Sequence, residues 1–80
     1  MADYEFPQYR KYRTGTSFFK IESLEAFEEV QLMGSRVLVH RIEAKIHPDR
    51  MRILDMLDNH GDAWEVIDAA EFDAAREGGG

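Results

Sequence analysis

The chain has no cysteine. That absence excludes disulfides, thiolate metal centres, zinc fingers and thiol catalysis together. It is compatible with a reducing compartment. Only two prolines interrupt the chain, Pro7 and Pro48, and each marks a place where a regular element starts or stops. No apolar run approaches the roughly 20 residues that cross a bilayer, and the opening MADYEFPQYRKYR has no apolar stretch for a signal peptide. A soluble, cytoplasmic protein is expected. No Gly-rich phosphate loop follows a strand, no Gly-x-Ser-x-Gly elbow is present, and no HxH, HxxxH or HExxH spacing occurs. The acids form no isolated pair in an apolar setting, so acid–base catalysis has no candidate. The expectation is a non-enzyme with no metal, no cofactor and no small-molecule ligand. Eighty residues make one domain. A chain of that length buries only roughly 60% of its unfolded surface, leaving little room to wall off a pocket beside a core.

The charge is −6 overall but unevenly spread. From Phe6 to Lys20 there are four bases (Arg10, Lys11, Arg13, Lys20) and no acid. Arg36 to Arg52 has five bases against Glu43 and Asp49, and after Leu54 eight acids face only Arg76. Either basic strands lie beside acidic helices, or one basic face meets an anionic partner. The acidic total argues against nucleic acid, which needs a broad basic patch.

What is present is organised around Arg36 to Arg50. Leu38, His40, Ile42, Ala44 and Ile46 alternate with Val37, Val39, Arg41, Glu43 and Lys45. This two-residue period predicts a central, half-buried strand over Arg36–Ile46. His47-Pro48-Asp49-Arg50 then stops it. Residues 1–8 are expected to be loose. Tyr9–Arg13 and Ser17–Glu22 read as a hairpin about the turn Thr14-Gly15-Thr16. Ser23 is placed as an N-cap for a helix over Leu24–Met33, where Leu24, Phe27, Val30 and Met33 recur at the helical period, and Gly34 follows as its terminator. Met51–Leu57 suits a helix or a strand, with the balance toward helix. Asp58–Asp62 is a loop. Ala63–Ile67 is a short strand. Asp68 caps a last helix with Glu71 at capping-box spacing and Ile67 and Phe72 at staple positions. Gly78-Gly79-Gly80 is a loose tail, so the domain spans 9–77.

The order β-β-α-β-(α or β)-β-α predicts an α+β domain. Its sheet would be mainly antiparallel, with three to five strands and two or three helices on one face. The expected core is Phe18, Ile21, Phe27, Val30, Leu38, Ile42, Ile46, Leu54, Trp64, Ile67 and Phe72.

Three histidines titrate near neutrality. His40 is expected on the apolar side of its strand, His47 in the turn, and His60 solvated in a loop. His47-Pro48-Asp49, with Lys45 before it and Arg50 after it, resembles the signature loop of J-domain co-chaperones. Ala63-Trp64-Glu65-Val66-Ile67 is similar to a stretch ending that family's third helix. The resemblance implies that His47, Pro48 and Asp49 form a loop between two antiparallel helices and contact an Hsp70 ATPase. Arg41 and Lys45 would then be the basic docking face. Gly34-Ser35, the strand-like Val37-Leu38-Val39, Glu43 and Gly61 depart from the family pattern, and a plain Pro-Asp turn remains the alternative. The Gly-Gly ending is similar to ubiquitin-like carriers, which implies an activatable C-terminal carboxylate, although here the tail follows a helix.

Tyr9-Arg10-Lys11-Tyr12-Arg13 interleaves aromatics with bases. Such a run can stack on single-stranded nucleic acid, or it can be an edge strand whose charges discourage aggregation. The edge strand is the favoured reading. The sequence therefore predicts a non-catalytic interaction module that binds a protein or a second copy of itself. Tyr9, Arg10, Lys11, Tyr12, Arg13, Arg41 and Lys45 are its expected contact residues.

Overall fold

The computed structural model describes residues 5–58 and 63–78. The expected loop around His60 and Gly61, and Gly79-Gly80 of the tail, lie outside them. The architecture is α+β, as expected. Five strands, β1 (Gln8–Tyr12), β2 (Ser17–Ser23), β3 (Ala26–Met33), β4 (Arg36–Glu43) and β5 (Trp64–Val66), make one antiparallel sheet in the order β4-β3-β2-β1-β5. Helices α1 (His47–Asp58) and α2 (Ala69–Arg76) complete it.

The first four strands form a meander because each joins the next through a tight turn. Gly15 takes φ 81° and its N–H donates to the Tyr12 carbonyl at 2.8 Å. Gly34 takes φ 61° at the first central position of the two-residue turn joining Met33 to Arg36. That placement suits a hairpin turn whose twist matches the flanking strands. The β2–β3 turn has no glycine. There the Ser23 hydroxyl accepts from the Glu25 N–H at 3.0 Å, a local bond that stands in for backbone pairing.

The helix expected over Leu24–Met33 is therefore wrong: those residues are a turn and β3. The reason is burial on both faces. Alternate residues of β3 face opposite layers, and both layers are apolar. Phe27 packs with Phe19, Ile21 and the α1 residues Ile53, Met56 and Leu57. Val30 packs on the other side with Phe18 and the α2 residues Phe72 and Ala75. A strand buried on both sides loses the simple alternation, and its apolar residues can fall three apart, as in a helix.

The expectation that the helices share one face of the sheet is also wrong. α1 covers the side carrying Phe19, Ile21 and Phe27, and α2 covers the side carrying Phe18 and Val30. The start of α2 follows the expected capping. Asp68 Oδ1 accepts from the Glu71 N–H at 2.8 Å, and Ile67 packs against the cluster that holds Phe72. Met51–Leu57 is helical, the favoured reading, but rotated from the expected face. Ile53, Met56 and Leu57 are buried, Leu54 is half-buried, and Met51 is exposed. Ile46 is 60% exposed and belongs to no strand, because β4 ends at Glu43. Leu38, Ile42 and Ile67 are half-buried, and Phe18, Ile21, Phe27, Val30, Trp64 and Phe72 are buried.

Candidate functional site

The expected contact residues fall into two groups that the sheet separates. β1 is not an edge. It pairs with β2 on one side and β5 on the other, with Arg10 opposite both Phe19 and Val66. Its bases are consumed internally. Arg10 is buried on the α1 face. Its Nε donates to the Met56 carbonyl at 3.0 Å, and its other nitrogens donate to the Tyr9 carbonyl at 2.9 Å and Gln8 Oε1 at 2.6 Å. Met56 lies in the last turn of α1, which has no basic residue of its own. Arg10 thus supplies, from a strand, the positive charge that a helix C-terminus favours. Burial pulls its guanidinium below the ordinary arginine value.

Lys11 points to the opposite face. Its ammonium lies 2.9 Å from Glu71 Oε2 and 3.2 Å from Glu65 Oε2. Hydrogen bonds to Glu71 and then Glu65 hold its pKa above the ordinary lysine value. Glu71 thus spends its carboxylate on Lys11. Tyr9 meets Phe72 at a tilt with 5.5 Å between centroids, and Tyr12 meets Trp64 edge-on at 5.1 Å. Arg13, past the strand end, is exposed. Basic strand beside acidic helix is what the charge pattern means here.

The real edge is β4, which the sequence reading had placed at the centre. It pairs with β3 from Ala26↔Glu43 to Met33↔Arg36 and has no partner on its other side among the described residues. Antiparallel ladders alternate hydrogen-bonded and non-bonded pairs. Counting from the two-residue turn, Arg36, Leu38, His40 and Ile42 bond inward to β3. The Ala44 N–H donating to the Glu25 carbonyl at 2.6 Å continues that phase. The N–H and C=O groups of Val37, Val39, Arg41 and Glu43 therefore face outward. The Glu43 carbonyl also accepts from the Lys45 N–H at 2.9 Å.

The side chains along this edge are mixed. Val39 is 44% exposed, and His40 is exposed opposite Glu29 rather than apolar-packed. Arg41 bonds Glu22 of β2, and Lys45 sits 3.2 Å from Glu43. Arg41 and Lys45 are thus the two expected contact residues that lie along or beside an open edge. The sheet's other outer strand, β5, spans only Trp64–Val66.

His47, Pro48 and Asp49 are the first turn of α1, entered from a strand rather than from a helix. The loop between two antiparallel helices that the J-domain resemblance implies is not formed, and Trp64–Val66 is strand. No group of three or more His, Cys, Asp or Glu that could hold a metal gathers among the described residues. No helix among them is long and apolar enough to cross a membrane.

Sequence reasoning missed the role of Val37 and Val39 at the edge. The two-residue alternation marked the strand, but it reports which face each side chain takes and carries no signal of whether a further strand lies alongside. Comparison of the chain with known protein families, curated proteins and solved structures returns no match in any of the three.

Proposed function

We propose that this is a soluble, cytoplasmic interaction module that acts without catalysis, by pairing another strand against the outer edge of β4. The observation that carries the reading is the unpaired edge itself. Eight residues of strand leave the backbone groups of Val37, Val39, Arg41 and Glu43 without a ladder partner among the described residues. Strand addition takes its affinity from such groups and its selectivity from alternate side chains. Natural edges are commonly blunted by shortness, proline, bulges or inward charge. β4 has none of the first three, and the sheet's other outer strand is short. Val39 adds an exposed apolar residue in the middle of the edge.

The test is selection of short displayed peptides against the folded protein, followed by amide NMR of the complex. Binding should shift and protect the amides of Val37, Val39 and Arg41 while leaving those of β1 unmoved. Selected peptides that instead perturb β1 or the α2 surface, or neither a selectable binder nor self-association through the edge, would overturn the reading.

A further inference from the structure

We infer that the strand accepted at this edge is β4 of a second copy, paired antiparallel about a two-fold axis at His40. The inference rests on the preceding reading of the edge and adds its occupant and register. In a symmetric pairing every contact is made twice, and side chains directly opposite must share a face of the joined sheet. The dyad must then pass through a residue, not between two. The outward-bonding residues are Val37, Val39, Arg41 and Glu43. A dyad at Val39 would set Glu43 against Ser35 in the turn, and one at Arg41 would set Val37 against Lys45, beyond the strand end. Only a dyad at His40 sets Val37 against Glu43 and Val39 against Arg41 on both copies. All the outward groups of both strands are then used, in about eight hydrogen bonds. The Glu43 carbonyl keeps its Lys45 contact through its second lone pair.

The side chains agree with that register. On the α1 face, Leu38 meets Ile42 of the other copy twice, flanking the axis. Both are half-buried in one copy and would be covered in two. On the α2 face, Val39 lies under the stem of the opposite Arg41. The two Arg41 side chains sit diagonal to each other, and each is already neutralised by its own Glu22. His40 meets its copy at the axis. Glu29 stands opposite it on β3 in its own copy, and Arg52 shares a hollow with Glu29 beside α1. One paired strand is a small contact, below the roughly 1,200 Å² of a standard interface, so the association is weak and concentration-dependent.

The absence of cysteine makes the register directly testable. Residues opposite at a non-hydrogen-bonded antiparallel position lie about 4.5 Å apart at Cα, within the range of a disulfide. Under mild oxidation H40C should crosslink to a dimer, whereas L38C, whose copies lie several residues apart along the edge, should not. In sedimentation equilibrium the average mass should rise from 9.3 kDa toward twice that value between about 10 μM and about 1 mM. Val39→Pro removes an outward N–H without touching the ladder to β3, and edge strands tolerate proline. It should hold the mass at 9.3 kDa with an unchanged amide spectrum elsewhere. Val39→Lys gives the same readout if the proline variant does not fold. A mass constant up to about 1 mM, dimers that survive both Val39 variants, or crosslinking by L38C as strong as by H40C would overturn the inference. If the chain stays monomeric while selected peptides still protect Val37, Val39 and Arg41, the edge reading stands and only the second copy falls. If neither peptide nor copy binds, both fall.

Discussion

β1 and β4 look alike as sequence and differ completely as parts of the molecule. Each is a short run of bases among apolar and β-branched or aromatic residues. In β1 the bases are held: Arg10 on the end of α1, Lys11 between Glu65 and Glu71. In β4 the only inter-strand ion pair among the described residues is that of Arg41 with Glu22, exposed on the surface, and among them the outer backbone is open. A base in a strand is therefore no sign of a partner until it is known what lies beside the strand. Neighbours within the chain cover β1 on both sides, and β4 keeps an open outer side among the described residues.

The contrast can be broken most severely at Arg10. Arg10→Ala leaves the buried Met56 carbonyl and the half-buried Gln8 without their donor, and should lower unfolding stability by about 2 kcal/mol. In an 80-residue domain that is a large share of the total, and urea denaturation will show it as an early midpoint. Arg41→Ala, at the matching base of β4, should lower unfolding stability by less than about 0.5 kcal/mol. Equal losses at the two positions would erase the distinction between the strands.

Next in size is Asp68→Ala, which removes the acceptor for the Glu71 N–H. It should cost about 1 kcal/mol, read from the same curves. Because α2 carries the acid that holds Lys11, that variant should also loosen the β1 side, visible as faster amide exchange at Lys11 than at His40.

A smaller effect is expected from pH. Lys11 has a folded pKa raised above 10.5, so the folded state holds its proton more tightly than the unfolded chain does. The stability from this contact is complete below pH 10.5 and is lost as pH rises through the higher folded value. Thermal melts of Glu71→Gln and the parent protein should converge as pH climbs past that point. A constant gap would show that the Glu71 carboxylate acts by something other than its pairing with Lys11. A stability change as small as that of Arg41→Ala, within about 0.5 kcal/mol, is expected at Val39→Lys, because the residue is exposed on the outer strand. Its consequence is expected in association instead.

Some of this was readable in the sequence and some was not. The hairpin about Gly15, the strand at Trp64, the helix after Pro48 and the capped start of α2 each rest on a few neighbouring residues. Turn chemistry and caps act over three or four positions, so the chain carries them wherever it folds. Most of the core was likewise visible as apolar residues, although Phe19, Ile53 and Met56 were not singled out. The candidate site was only half legible. Arg41 was noticed for its charge, but the open backbone beside it is a property of having no neighbour, and no residue type encodes that.

By itself, then, the sequence determined the α+β class, the local turns and caps, the β4 alternation and the surplus of acid after Leu54. Tertiary structure alone decided that Ala26–Met33 is a strand, because two apolar layers cover it and override a helical spacing of Phe27 and Val30. It alone decided which strand lies outermost. Strand order comes from which surfaces bury each other. The late strand β5 closes on β1 through Trp64 and Tyr12, enclosing Arg10 and Lys11 and leaving β4 open at the far side of the sheet.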